Sequence, residues 1–107
     1  MAELHLLPRD AACVRDILSR HLPAGARVRV FGSRATGRNL KPHSDLDLLI
    51  DCPTALPLAT VAALRDALSE SDLPFSVDLL ERRDASDEFL IGVDDAAVTL
   101  WDRSFTP

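Results

Sequence analysis

The stretch from Val28 to Asp51, V-R-V-F-G-S-R-A-T-G-R-N-L-K-P-H-S-D-L-D-L-L-I-D, decides how the chain folds. An apolar run ends in Gly32-Ser33, a basic loop follows, and a second apolar run opens with Asp45 and Asp47. Read as a strand, the second run sends alternate side chains to opposite faces. Asp45, Asp47, Leu49 and Asp51 then share one face, and Leu46, Leu48 and Ile50 the other. Two acids at i and i+2 stand roughly 7 Å apart at their Cα atoms in extended chain. Their carboxylates can lean together onto a shared cation.

The first run supplies the complementary half. Gly32 has no Cβ, so the backbone can turn sharply there and approach a ligand closely. Ser33 adds a hydroxyl and, where a helical turn begins, free N–H groups of the kind that hold phosphate. Phosphate on one side and metal-binding carboxylates on the other describe a nucleoside triphosphate site. Arg34, Arg38 and Lys41 lie in the intervening loop with no acid among them, and read either as a solvated loop or as charges facing the expected triphosphate.

Gly32-Ser33, the spacer 34–44, Asp45-Leu46-Asp47 and a further acid, Asp78, on a later strand resemble the DNA polymerase β-type nucleotidyltransferase superfamily. The fuller wording G-S-R-A-T-G followed by D-L-D-L-L-I, with V-D-L-L downstream, is similar to its minimal branch, the MNT domains encoded beside small helical HEPN-type partners. The resemblance implies an α+β fold, a small mixed β-sheet with helices packed on one side. It implies Mg²⁺-dependent transfer of a nucleoside monophosphate, most often AMP from ATP, with release of pyrophosphate. On the family's pattern Asp45, Asp47 and Asp78 hold two Mg²⁺ ions, and Asp78 helps to accept the nucleophile's proton. Gly32 and Ser33 hold the β- and γ-phosphates, and Arg34, Arg38 and Lys41 neutralise further charge.

The partner implied is a HEPN-type protein. Some relatives resemble antitoxins that adenylylate a tyrosine of such a partner; another group pairs with a helical protein that helps to form the substrate site. The tail L-P-F-S-V-D-L-L followed by S-D-E-F looks like the second group, and both readings stay open. The sequence holds no tyrosine of its own. It departs from the branch at Thr36, where a basic residue is common; that departure bears on specificity and leaves the acids and Gly-Ser in place.

Composition bounds these readings. A chain of 107 residues has room for one modest core, so residues 1–107 are expected to form a single domain. A net charge of −5 argues against a protein that coats nucleic acid, because such binding rests on a basic surface. No apolar run approaches the roughly 20 residues of a membrane span, and no signal-peptide pattern opens the chain, so a cytoplasmic location is expected. Cys13 and Cys52 form neither a disulfide framework nor a zinc spacing and read as packing residues. His5 and His21 have no partner motif and read as structural or surface groups.

Outward from the central stretch, Met1 to Pro8 is a short apolar segment that reads as a frayed end or a contact with another chain. Cys13, Val14, Ile17, Leu18 and Leu22 follow helical spacing, predicting a helix over Ala11 to His21 capped by Asp10. Arg27 to Phe31 alternates as a strand, Ser33 to Thr36 forms a turn ending at Gly37, and Ser44 to Asp51 is the second strand. Leu58, Val61, Leu64 and Leu68 mark a second helix with Pro57 in its first turn, and Ala59, Ala62, Ala63 and Ala67 let it lie close on the sheet.

Phe75 to Leu80 reads as a third strand. Asp78 interrupts its apolar run, a position costly to bury unless the carboxylate binds a cation or a donor. Glu81 to Asp84 is a solvated connector, Asp87 to Val93 a short helix and Val98 to Trp101 a last strand, with Trp101 and Phe89 expected to fill core. Against the transferase stand two weaker readings. One is a binding module that keeps this fold and acts through its partner interface alone. The other is a metal-dependent phosphohydrolase, which shares two-metal carboxylate chemistry but not the Gly-Ser turn.

Overall fold

Strand alternation gives the sheet two unlike faces, and the difference between them positions everything else. The computed structural model describes residues 4–104. Of the apolar N-terminal segment, residues 1–3 therefore lie outside the described residues. The elements run α1 Pro8–His21, β1 Arg27–Phe31, α2 Ser33–Thr36, β2 Leu46–Asp51, α3 Leu58–Ser69, β3 Val77–Glu81, α4 Asp87–Ala96 and β4 Val98–Asp102, with a 3₁₀ turn at Arg82–Asp84 before α4.

The four strands stand in the order β3-β2-β1-β4. β1 runs antiparallel to both neighbours, while β2 and β3 are parallel, so the sheet is mixed. The expected small mixed sheet is observed, but its helices are not all on one side: α1 and α3 cover one face, while α4 packs on the other, where its Asp94 reaches Arg29 and its Phe89 meets Phe31. Val28 and Val30 sit opposite Ile50 and Leu48, and all four are buried under α1 and α3. α1 contributes Ala11, Val14, Ile17 and Leu18, and α3 contributes Leu64 and Leu68. Truncating a fully buried leucine such as Leu64 to alanine costs about 2–5 kcal/mol, so this single layer carries most of the stability.

Two details of the helices differ from expectation. α1 begins at Pro8, whose ring presets a helical φ, with Leu7 as its N-cap. Asp10 thus falls inside the first turn and is buried there, favoured by the helix dipole rather than acting as a cap. In α3 the side turned to the core is Val61, Leu64, Leu68 and the expected Ala67; Ala59, Ala62 and Ala63 are exposed, so they do not mediate close approach to the sheet. The leucines set that spacing.

The opposite face is polar and only partly covered. Leu49 is fully buried there yet belongs to no part of the main core, as does the buried Leu90 of α4. Ser86 caps α4 by accepting a hydrogen bond from the Phe89 N–H at 3.1 Å. Asp94 near the other end of α4 pairs with Arg29 of β1 at 2.8 Å and with Arg82 at 3.1 Å. Phe89, expected in the core, is 41% exposed and meets the ring of Phe31 edge to face, with centroids 5.7 Å apart. Trp101 does pack against the main core and donates its Nε1–H to Ser19 Oγ at 2.9 Å. Cys13 and Cys52 are free and pack against the core as expected. No helix among the described residues is long and apolar enough to cross a membrane.

Candidate active site

The site grows from one register. Phe31, the last residue of β1, lies opposite Asp47 of β2, and Asp47 lies beside Asp78 of β3. Neighbouring strands are about 4.8 Å apart, so Asp47 and Asp78 project from the same face as immediate neighbours. Asp45 precedes β2 by one residue and is exposed. Asp78 is exposed too, because β3 is an edge strand. The expectation that its carboxylate is costly to bury therefore does not apply; what marks Asp78 is the like charge beside it.

Asp47 is half-buried, and its carboxyl is held above the ordinary value. Burial contributes most, followed by the negative charges of Asp78 and then Asp45, and a hydrogen bond with Asp78 adds to the effect. Each of these disfavours the ionised form, and a bound cation would offset the repulsion. Among the described residues no three His, Cys, Asp or Glu side chains stand close enough to hold a metal ion as they lie. Asp47 and Asp78 lie side by side across β2 and β3, and the charge of Asp45 also reaches Asp47.

Opposite the pair is the strand end. Gly32 sits at φ +75°, ψ −154°, and a Cβ there would overlap Asp47 Oδ2. Only glycine lets this turn bring the backbone against the carboxylate. The Gly32 carbonyl accepts hydrogen bonds from the N–H groups of Ala35 and Thr36, forming the single turn α2, and Gly37 ends it in the left-handed conformation with its N–H on Ser33 O at 2.7 Å. Ser33 thus stands at the bend, half-buried, where the sequence places it.

The basic loop divides into two kinds of residue. Arg38 and Lys41 are exposed. Arg34 is only 6% exposed and donates to three carbonyls: Ser44 at 2.9 Å, His5 at 3.1 Å and Pro42 at 3.3 Å. Its guanidinium also stacks over the Phe75 ring, 4.2 Å from the centroid. Arg34 was expected to face a phosphate; its donors instead hold the loop that delivers Asp45. His5 and Phe75 belong to this clamp, and nothing in the one-dimensional pattern links positions 5, 34, 42, 44 and 75. Thr36, the departure from the family wording, accepts from the Arg38 N–H at 3.1 Å and so shapes the turn after α2, a bond a basic side chain cannot replace.

The strand ends thus bring a glycine bend and the carboxylates of Asp47 and Asp78 to one corner of the sheet. A family model described as a nucleotidyltransferase domain matches residues 13–96. Over 88 residues the chain is 40% identical to a probable protein adenylyltransferase MntA of Haemophilus influenzae, covering 82% of this chain and 75% of that protein. Among solved structures it resembles the crystal structure of a toxin-antitoxin with AMP-PNP, with TM-score 0.70 and 25% identity over 86% of this chain and 73% of that one. It also shares the fold of a mutant of the toxin-antitoxin MntA-HpeT, with TM-score 0.67 and 22% identity over 85% of this chain and 71% of that one.

Proposed function

The chain belongs to the nucleotidyltransferase domain family, and from that premise we propose that it transfers AMP from ATP to a side-chain hydroxyl of a protein partner, as one half of a two-component pair. The observation that supports this most is the placing of Asp47 beside Asp78, with Asp45 at the same strand end, across from the Gly32-Ser33 bend. The similarity to a protein adenylyltransferase and to a toxin-antitoxin holding an ATP analogue supports AMP as the group moved and a protein as the receiver. The partner is a small helical HEPN-type protein, and the residues at work are those of a single domain spanning 1–107. A cytoplasmic setting, where ATP is plentiful, fits this chemistry.

Mg²⁺ fits the donor set. It prefers hard oxygen ligands and keeps several waters, so a few carboxylates and the substrate phosphates suffice. Asp45, Asp47 and Asp78 would hold two such ions, and the repulsion that raises Asp47 is the kind a cation relieves. When bound, the ions supply charge neutralisation at the reacting phosphate. The residues of the chain do the rest. Gly32 admits the phosphates close to the backbone, Ser33 offers its hydroxyl to them, and exposed Arg38 and Lys41 add positive charge at the rim. Asp78, exposed at the sheet edge, takes the proton of the attacking hydroxyl.

The discriminating experiment incubates the protein with Mg²⁺, its partner and ATP labelled at either the α- or the γ-phosphate. Transfer predicts α-label on the partner and release of pyrophosphate. Release of orthophosphate alone would favour hydrolysis, and tight binding of partner with no bound ATP would favour an interface-only module.

A further inference from the structure

β3 is an outer strand, with β2 on one side and, among the described residues, no strand on the other. The Ser76 carbonyl accepts from the Leu46 N–H at 2.9 Å, so alternation turns the main chain of Asp78 toward β2. The N–H and C=O groups of Val77 and Leu79 consequently face outward. Native edges are blunted by proline, lysine or a covering element; the β3 segment V-D-L-L-E carries neither residue. Along this edge runs a groove of about 640 Å³, walled by Arg65 and Leu68 of α3, by Leu73 and Phe75, and by Leu79, and it reaches Asp78.

We propose that this edge docks the acceptor: an extended segment of the partner protein adds to β3 through main-chain hydrogen bonds and sets a hydroxyl side chain beside Asp78. The inference rests on the transferase reading above and adds where, and in what conformation, the acceptor lies. An added strand would lie about 4.8 Å from β3, so its residue opposite Asp78 shares that carboxylate's face. Residues on either side of it turn to the α3 side, where Leu68 and Phe75 receive apolar side chains. Arg65 is the one basic residue of the lining, in a chain of net charge −5, and matches an acid on the incoming segment. The proposed active site and the groove are continuous through Asp78. In the reaction the hydroxyl oxygen forms a bond to the α-phosphorus of ATP, the bond from that phosphorus to the bridging oxygen breaks, pyrophosphate departs with the electron pair, and the hydroxyl proton passes to Asp78.

The test uses a nine-residue peptide with a central tyrosine, leucine on each side of it and one glutamate. Two N-methylated twins carry their methyl groups on alternate sets of peptide nitrogens. With Mg²⁺ and α-labelled ATP, one twin should lose about tenfold in labelling and the other stay within about twofold of the parent, because only one set faces β3. Hydrogen exchange at the Val77 and Leu79 amides should slow when the parent peptide is added. Equal response of the twins, or unchanged exchange at those amides, overturns the docking mode. Formation of AMP and pyrophosphate without any labelled peptide also overturns it while leaving nucleotidyl transfer standing; absence of AMP in every form overturns the transferase reading itself.

Discussion

Two aspartates on the polar face of one sheet have opposite surroundings. Asp94, carried by α4, stands between the guanidinium groups of Arg82 and Arg29, and these hold its carboxyl below the ordinary range. Asp47 is half-buried with Asp78 and Asp45 for neighbours, and burial first, then their negative charge, holds its carboxyl above that range. A paired acid closes a structure: it fastens α4 and shields the buried Arg29. An acid left among other acids costs stability on its own account, and persists where something outside the chain supplies the missing positive charge.

The strongest way to break this contrast is to exchange the two. Asp47→Asn should reduce transfer of α-label roughly 10³-fold, about 4 kcal/mol of transition-state stabilisation, while the melting temperature holds or rises because a like charge is gone. Asp94→Ala should do the reverse, keeping transfer near the unsubstituted level and lowering the melting temperature. Calorimetry and a labelling assay on both proteins would decide it; a destabilised Asp47→Asn with normal transfer would reverse the roles.

Next in size is the ligand effect. Mg²⁺ with ATP at a hundred times its dissociation constant should stabilise the fold by about 2.7 kcal/mol, a rise in melting temperature on the order of 10 °C. The rise should vanish in Asp47→Asn and survive in Asp94→Ala. Gly32→Ala tests the same corner from the backbone side. Its φ of +75° and the overlap with Asp47 Oδ2 should cost about 1–3 kcal/mol, with transfer lost even where the variant folds.

The smallest effect is in pH. Asp94 has a depressed folded value, so its stabilisation is complete above the ordinary carboxylate pKa of about 3.9 and is lost as pH falls through the lower folded value. Asp47 has a raised folded value, so its ionised form opposes folding above that value, and the penalty is absent below the ordinary one. Melting curves between about pH 3 and 6 should show Asp47→Asn gaining on the unsubstituted protein as pH rises. Asp94→Asn should fall behind it over a lower range.

Much of this was legible along the chain because the relevant physics is local. Strand alternation in R-V-R-V-F and D-L-D-L-L-I, the Gly32-Ser33 bend, the left-handed Gly37 and the leucine spacing of α3 each depend on residues a few positions apart. They placed the strands, the helices and the acids to within a few residues. Reading Arg34 as a phosphate ligand failed because basic residues in a loop look alike until three carbonyls from distant positions close around one of them. Of the α3 alanines only Ala67 packs on the core; Ala59, Ala62 and Ala63 were misplaced because helical spacing alone does not say which small residues face the sheet.

Spacing and residue type thus settled which elements form and which carboxylates are available, since those are properties of neighbouring residues. That Asp78 stands beside Asp47 and that β3 is an outer strand among the described residues were settled only by strand order and register, and that Asp94 covers Arg29 only by the packing of α4 on the sheet. The energy of a charge depends on what surrounds it in space, and for these residues the surroundings come from segments far away along the chain.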